Sequence, residues 1–274
     1  MPDSTIKGGQ QPATAAADRM VGLPAAGAAI VRRHENRVLA SLPPAELALL
    51  SRHLHVVALQ PGAVLQHQDH PLDYIYFPHE GLVSLLAMTP NGETVEAGSL
   101  GRAGAVCPIL KSDVRNGFLT AVAQSAMRVS RMAVAQLALA QRDCETFGRA
   151  LHACREALLL QLRQNIVCGG LHPVEQRLSR WLLEGADRLE SDIIPIPVTQ
   201  EHVAQRLGVR RTTVTLLTSR LQEAGAIRWG RSRVEILDRR RLETMACGCY
   251  PALRERVNAL LPPPHAVAAK GVGG

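Results

Sequence analysis

The stretch RLGVRRTTVTLLTSRLQ, from Arg206 to Gln222, decides the fold of the C-terminal third of this 274-residue chain. Its apolar residues recur at helical spacing, yet its polar positions carry four threonines, whose branched side chains are stiff against the preceding helical turn. Stability alone favours alanine, glutamate or lysine at such positions. The pattern therefore indicates that something outside the helix uses those hydroxyl groups and the neighbouring guanidinium groups.

The residues around this stretch predict a helix-turn-helix. A first short helix covers 199–207 with Thr199 as its N-cap, Gly208 supplies a turn that needs a positive φ, and a second helix covers 211–224. In this motif the second helix enters the major groove of DNA with its N-terminal residues at the base edges. The apolar residues expected between the two helices are Val203, Leu207, Val209, Val214, Leu217 and Leu221.

The polar residues of the second helix fit a role in DNA binding. Arginine grips guanine with two hydrogen bonds, and threonine bonds a phosphate or places its methyl group against thymine. Residues 226–237 predict two short strands around Gly230, forming a wing with further arginines, and between 198 and 233 seven arginines face two acidic residues. The predicted DNA-contacting residues are Thr199, Arg210, Arg211, Thr212, Thr213, Thr215, Arg220, Arg231 and Arg233.

The upstream sequence predicts a β-rich domain followed by a long helix. Between 41 and 131, apolar or alternating segments are separated by glycine-bearing turns, of which Asn91–Gly92 is the clearest hairpin signal. This pattern is typical of a small barrel or sandwich. The helix that follows, at about 133–168, has one apolar stripe, which packs either on its own barrel or on the same helix of a second subunit, the alternative we favour. The stripe consists of Cys144, Phe147, Leu151, Cys154, Leu158 and Leu162.

These features together resemble the Crp/Fnr transcription regulators. The segment VTQEHVAQRLGVRRTTVTLLTSRLQEAGAI (198–227) and its wing are similar to the winged helix of that family, and the β-segments and long helix follow the family's order. The resemblance implies an α+β fold with an N-terminal β-roll of the cyclic-nucleotide-binding type, a long dimerisation helix and a C-terminal winged helix-turn-helix. The implied parts are a flexible tail at 1–35, the β-roll at 36–132, the dimerisation helix region at 133–171, the winged helix-turn-helix at 172–250 and a C-terminal tail at 251–274.

The resemblance also implies a function. It suggests a cytoplasmic homodimer that binds an inverted repeat in double-stranded DNA, with RNA polymerase as a further partner. By position, Arg211 and Thr213 contact a base or a phosphate, and Thr199 contacts the backbone. Thr212 stands where many members carry a glutamate, and Leu216 where a second base-reading arginine often lies, so the target sequence should differ from the best-known one.

The β-roll sequence departs from that of cyclic-nucleotide binders. The family pattern is a Gly-Glu pair followed by Arg-Ser or Arg-Thr and Ala, but here Arg102–Gly104 stands at the first position and Phe118–Ala121 at the second, with Arg115 three residues early. A buried phosphodiester needs a paired charge. Cyclic AMP is therefore not the expected effector, whose identity stays unknown.

No cofactor or metal is predicted. Residues 1–106 contain no cysteine, which argues against an iron–sulfur cluster of the family's kind. Cys247-Gly-Cys249 suits a thiol switch or half of a metal site, but no other pair stands at ligand spacing. The HQDH segment at 67–70 is interpreted as a solvated turn. Haem stays open, because one histidine suffices, with His53, His55, His67, His70 and His79 as candidates.

Two cysteines on the long helix allow a further alternative. Cys154 and Cys168 are interpreted as small packing residues, although a cross-link between subunits would also use them.

Composition narrows the classes of function. A net charge of +7 favours a polyanionic partner, and no run of apolar residues is long enough for a membrane span, so no membrane partner is expected. The sequence contains no nucleophile elbow, P-loop, dinucleotide-binding turn or HExxH motif, so no enzyme is predicted. The alternative is a ligand-binding β-roll interaction protein whose basic helix binds polyanions or an acidic protein partner without sequence-specific DNA recognition. Salt-dependent, sequence-selective DNA binding separates the two.

Overall fold

Two four-stranded antiparallel sheets form the N-terminal half of the fold. The computed structural model describes residues 20–21, 36–106, 116–195 and 200–261. One sheet has the strand order β1-β2-β8-β4 and the other β3-β7-β5-β6. The strands are β1 Met20–Val21, β2 His55–Leu59, β3 Val64–Gln66, β4 Tyr74–Pro78, β5 Val83–Met88, β6 Thr94–Leu100, β7 Thr120–Ala123 and β8 Met127–Ala133.

The hairpin predicted at Asn91–Gly92 is confirmed. It joins β5 to β6, and Gly92 has a φ of 84°, a conformation that glycine adopts without steric cost. Apolar side chains of both sheets meet in one core, which includes Val57, Leu59, Val83, Leu85, Ala121 and Val129.

The described residues of this half of the chain form four helices, and the last of them is the long helix. Glu46 caps that helix, because its carboxylate accepts hydrogen bonds from the backbone N–H groups of Thr146 at 3.0 Å and Phe147 at 2.9 Å. The helices are α1 Arg37–Ala40, α2 Pro44–Ser51, α3 Val134–Asp143 and α4 Glu145–Leu171.

The predicted apolar stripe of α4 packs on its own chain. Phe147 is fully buried against Phe77 of β4, with 6.0 Å between ring centroids, and Leu158 joins the core between the two sheets. Our preference for this stripe as the contact with a second subunit was therefore wrong, because the β-roll of the same chain already covers it. A second, exposed set of apolar side chains lies elsewhere on α4: Leu159, Ile166, Val167 and Leu171.

The C-terminal half is a winged helix domain with a three-stranded sheet in the order β10-β11-β9. Its core joins helices and wing through Leu178, Leu182, Val203, Val214, Leu217, Leu221, Ile227 and Val234. The elements are α5 Val174–Leu189, β9 Ile193–Pro195, α6 Gln200–Leu207, α7 Arg211–Glu223, β10 Ile227–Trp229, β11 Arg233–Ile236, α8 Arg239–Met245 and α9 Cys249–Leu260.

The two predicted terminal tails, at 1–35 and 251–274, compare differently with the structure. The C-terminal tail was placed too early, because α9 continues to Leu260 and buries Tyr250 and Leu253, which are spaced one helical turn apart. The N-terminal tail at 1–35 lies outside the described residues except for β1, which pairs with β2. Apart from these tails, the architecture confirms the predicted α+β fold. Within the described ranges, no helix combines the length and apolar character needed to cross a membrane.

Candidate nucleic-acid interface

The two helices of the predicted motif are joined by a tight turn. Gly208 has a φ of 64°, and the N–H of Val209 donates to the carbonyl of Ala204 at 2.9 Å. Of the apolar residues predicted between the helices, Val209 is half-buried and the others are buried: Val203, Leu207, Val214, Leu217 and Leu221. The turn therefore holds α7 at a fixed angle to α6, as the motif requires.

The N-terminal end of α7 projects from the domain. Arg210, Arg211 and Thr212 are exposed, and Thr213 is half-buried. Arg210 is the N-cap residue, but its side chain makes no capping hydrogen bond. The first N–H groups of α7 thus keep the positive end of the helix dipole on the surface, where it favours a phosphate.

The threonines of α7 divide into two groups, and only one group is available to a partner outside the protein. Thr212 and Thr213 lie at the outer end of the helix. The Thr215 hydroxyl donates to Gln200 Oε1 at 2.5 Å, and the buried Thr218 hydroxyl accepts from Gln200 Nε2 at 3.3 Å. These two residues therefore bind α7 to α6, and a hydrogen bond from Thr215 to DNA requires its bond to Gln200 to break.

The wing extends the basic surface beyond α7. Arg231 and Arg233 are exposed around the turn between β10 and β11. By contrast, Arg220 lies 3.7 Å from Glu175, although its side chain is 55% exposed. Within the described parts of the chain, no acidic side chain forms an ion pair with Arg210, Arg211, Arg231 or Arg233. Thr199, predicted as a backbone contact, lies outside the described residues.

Arg206 does not belong to this surface, although it stands in the basic segment. Its guanidinium is buried against Glu96 of the β-roll and hydrogen-bonds the side chain of Gln124. Burial lowers the pKa of Arg206, and the nearby Glu96 carboxylate partly opposes that change. The exposed positive charge of the motif is therefore smaller by one than the sequence indicates.

A cavity lies between the β-roll and helices α4, α5 and α9, and its charged groups are paired. Arg37 Nη2 and Arg102 Nε donate to Glu190 Oε1 at 2.9 and 2.6 Å. Burial alone would raise the pKa of the Glu190 carboxyl, but hydrogen bonds from Arg102 and Arg37 outweigh it and lower that pKa. Glu190 ends α5 with a φ of 51°, in the left-handed region. Arg102, which stands where the cyclic-nucleotide binders of the family carry the Gly-Glu pair, is thus neutralised by the protein itself.

Of the haem candidates, His79 has a structural role, and the other four histidines are exposed at the surface. His79 is buried, and its Nε2 lies 2.8 Å from Ser130 Oγ. His67 and His70 lie in a turn in which Asp69 has a φ of 61°, and His70 is exposed. His53 and His55 border a shallow surface pocket with Tyr74.

The two cysteines of α4 have different surroundings. Cys154 packs in the core, and Cys168 lies in a cluster with other cysteines. Cys154 is buried against Ala103 of its own chain, and burial raises the pKa of its thiol to about 12, which contradicts a cross-link between subunits at this position. Cys168 and His172 lie beside Cys247 and Cys249. The argument that this pair lacks further ligands was therefore wrong. It relied on spacing along the chain, whereas the ligands come from segments 79 residues apart.

Comparisons with known proteins agree with this geometry. Residues 176–245 match the profile of the Crp-like helix-turn-helix domain. The nitrogen fixation regulation protein FixK of Bradyrhizobium diazoefficiens is 29% identical over 93 residues, which are 32% of this chain and 39% of FixK. The chain thus matches about two fifths of the length of that relative.

Solved structures resemble most of the fold, including the β-sheet domain and the winged helix. FixK2 from Bradyrhizobium japonicum has a TM-score of 0.62 at 19% identity, over 71% of this chain and 98% of that one. A Crp/Fnr-family transcriptional regulator from Thermus thermophilus has a TM-score of 0.55 at 21% identity, over 70% and 98%. These relatives are regulators, in agreement with the prediction that the chain is not an enzyme. Residues 176–245 therefore form a Crp-like helix-turn-helix domain, and the fold around it resembles that of Crp/Fnr-family transcriptional regulators.

Proposed function

We propose that this protein is a sequence-specific DNA-binding regulator that acts in the cytoplasm as a homodimer on an inverted repeat and does not respond to cyclic AMP. The observation that carries the proposal is the outward N-terminal end of α7, where Arg210 and Arg211 have no acidic partner within the described ranges. Two arginines at the start of a recognition helix, beside a basic wing, fit one edge of the major groove and the adjacent phosphates.

The exposed apolar residues of α4 support the homodimer. Ile166 is 76% exposed and Leu171 is also 76% exposed, and Leu159 lies seven positions before Ile166, on the same face of the helix. Exposed apolar side chains such as Leu159 and Ile166 on one face of a long helix need a partner, and a second copy of α4 presents the same face. Pairing the helices sets the distance between two recognition helices, so the half-sites should lie about one helical turn apart.

The closed charge network of the cavity supports independence from cyclic AMP. A cyclic nucleotide buries a phosphodiester, whose charge must be paired. Four arginines line the cavity, of which Arg188 and Arg254 pair with Glu184 and Asp187. The other two, Arg102 and Arg37, both already bind the carboxylate of Glu190. Binding of the nucleotide would displace this carboxylate from its arginines. The carboxylate would then lie beside the negatively charged phosphodiester. Regulation of transcription then works through contact with RNA polymerase or through its exclusion from the promoter.

The test is selection of sheared genomic DNA on the purified full-length protein at near-physiological salt, followed by sequencing. The proposal expects enrichment of an inverted repeat, and selection in the presence of cyclic AMP should enrich the same sites to the same degree. Retention of DNA without a preferred sequence, under every condition, would instead support a module that binds polyanions without reading bases.

A further inference from the structure

Four ligand groups from distant parts of the chain meet beside the winged helix. Cys168 lies in the last turn of α4 and His172 follows that helix, whereas Cys247 lies between α8 and α9 and Cys249 is the first residue of α9. Their three sulfur atoms and one imidazole nitrogen all lie within 4.8 Å of one another. We propose that these residues form a tetrahedral site for a single zinc ion, a site that goes beyond the proposed function and does not depend on DNA binding.

The distances fit one ion. With Zn–S near 2.3 Å and Zn–N near 2.0 Å, the ligand atoms of a tetrahedral site lie about 3.5–3.8 Å apart. Cys168 Sγ and Cys247 Sγ are 3.9 Å apart, and Cys249 Sγ and His172 Nδ1 are 4.0 Å apart. An iron–sulfur cluster places its inorganic core between the cysteines and so needs wider spacing. A disulfide would join two of the sulfurs and leave the other two ligand groups unexplained.

The ligand types and their burial also fit zinc. Three thiolates and one neutral imidazole form a common structural zinc set, and soft thiolates exclude magnesium and calcium. Cys168 and Cys247 are buried, whereas Cys249 and His172 are half-buried. The site is therefore enclosed on one side and open to an entering ion on the other, and the thiol protons leave to solvent as the ion binds.

Nearby groups offset the negative charge that the ligands bring. Three thiolates around one divalent ion leave a net charge of −1. The guanidinium of Arg180, whose side chain is only 7% exposed, supplies positive charge near Cys247 and Cys249, in addition to its ion pair with Glu184. Gln164 Nε2 also donates to Cys168 Sγ at 3.3 Å. A second shell of donors and cations of this kind orients ligands and stabilises the charged complex.

The position of the site gives the ion a structural effect. Cys168 is followed by Gly169 and Gly170, and glycine weakens a helix relative to alanine because it loses more conformational freedom on folding. The ion would hold this weak helix end against the link between α8 and α9, where Cys247 lies. Because the four ligands meet only in the folded chain, zinc binding stabilises the fold and fixes the winged helix to α4.

The experiment uses the full-length chain, reduced and stripped of metal, titrated with ZnCl₂ against a chromophoric chelator and separately with CoCl₂. We expect one ion per chain, the visible absorption of tetrahedral thiolate-bound cobalt, and a higher melting temperature with zinc. Cys249→Ser and His172→Gln should each weaken zinc binding by at least about 100-fold, the upper end of what loss of a second-shell partner costs. Cys154→Ser, which changes a buried cysteine outside the cluster, should leave zinc binding unchanged.

Cys249 and His172 are the chosen positions because both are half-buried, and circular dichroism of each variant is the check that it folds. The proposal is overturned if the folded, reduced chain binds no zinc, or if both variants bind zinc as the unchanged chain does. It is equally overturned if the purified chain contains iron and inorganic sulfide at these cysteines, or if a Cys168–Cys247 disulfide forms in place of metal binding when ZnCl₂ is present.

Discussion

Arg206 of α6 and Glu96 of β6 form a buried ion pair across the boundary between the winged helix and the β-roll. Arg206 Nε lies 3.5 Å from Glu96 Oε2, and only 10% and 5% of the two side chains are exposed. Glu96 also accepts hydrogen bonds from Trp181 Nε1 at 2.8 Å and Ser84 Oγ at 2.5 Å. The carboxylate thus joins both domains, and it fixes where the first helix of the DNA-binding motif lies on the β-roll.

Replacing Arg206 by methionine should destabilise the protein strongly. The change keeps much of the side-chain volume but leaves the Glu96 carboxylate buried without its cation. Breaking a buried pair from one side costs about 3–5 kcal/mol, so the free energy of unfolding should fall by about 3 kcal/mol in urea denaturation. Arg220→Met is the matched control, because its pair with Glu175 is exposed and exposed pairs contribute about 1 kcal/mol or less. Equal losses of unfolding free energy in both variants would show that the buried pair stabilises the fold no more than the exposed pair does.

The helix-turn-helix could be predicted from sequence because its signals are local. Gly208 marks the turn, and residues such as Val214, Leu217 and Leu221 repeat at helical spacing, so a short window contains the whole motif. The same window does not distinguish Arg206 from Arg211. Their roles depend on which face of each helix meets another domain, and the partner Glu96 stands far earlier in the chain.

The errors of the sequence analysis have the same origin. Periodicity located the apolar stripe of α4, but it does not say whether the chain itself or a second subunit covers that stripe. Likewise, Cys247 and Cys249 form half of a ligand set, and the other half reaches them only because α9 packs on α4. The termination of the domain at 250 hid this contact, since α9 was assigned to a tail.

Replacing Arg211 by alanine should reduce sequence discrimination. One bidentate contact to guanine contributes about 1–3 kcal/mol of discrimination, so the preference at one base position of each half-site should fall by about that amount. The measurement is competition between the selected site and its single-base variants. Equal weakening for all sequences would identify Arg211 as a phosphate contact instead.

Replacing Arg231 by alanine should weaken binding to all sequences alike. An exposed wing arginine that neutralises one phosphate releases one counterion, so the slope of log K against log salt should fall in magnitude by about 1. The affinity is measured across a series of salt concentrations. Arg142→Ala, at an exposed position on α3, is the control for the loss of one positive charge outside the winged helix. An unchanged slope for Arg231→Ala would remove the wing from the DNA-binding surface.

Replacing Ile166 by glutamate should convert the proposed dimer to monomers. Ile166 is 76% exposed in the single chain, so the change costs little within one subunit but places two like charges in a paired-helix interface. Light scattering coupled to size exclusion gives the mass directly. Leu139→Glu is the matched control, because Leu139 is a 48% exposed residue on α3, and this variant should keep the mass of the unchanged protein. If Ile166→Glu also keeps that mass, the exposed stripe of α4 is not the dimer contact.

Replacing Glu190 by glutamine should remove a pH-dependent part of the stability. Hydrogen bonds from Arg102 and Arg37 hold the pKa of this carboxyl below its ordinary value of 4.5 despite the opposing effect of burial, so the folded state binds its proton less readily than the unfolded state. A carboxyl with a lowered pKa contributes stability that is fully present above 4.5 and is lost as the pH falls through the lowered value. Because the Glu190 side chain is 39% exposed, this contribution should be at most about 1 kcal/mol.

The difference in unfolding free energy between the unchanged protein and Glu190→Gln, followed by urea denaturation from neutral to acidic pH, checks this expectation. The difference should be constant at neutral pH and should shrink as the solution becomes more acidic, because the protonated glutamate then resembles glutamine. Asp143→Asn removes an exposed carboxylate on α3 and controls for the loss of one negative charge. A difference that grows with acidity would mean that the Glu190 carboxylate is not stabilised by its arginines. The proposal that Glu190 neutralises the arginines of the cavity, and so disfavours cyclic AMP, would then lose its support.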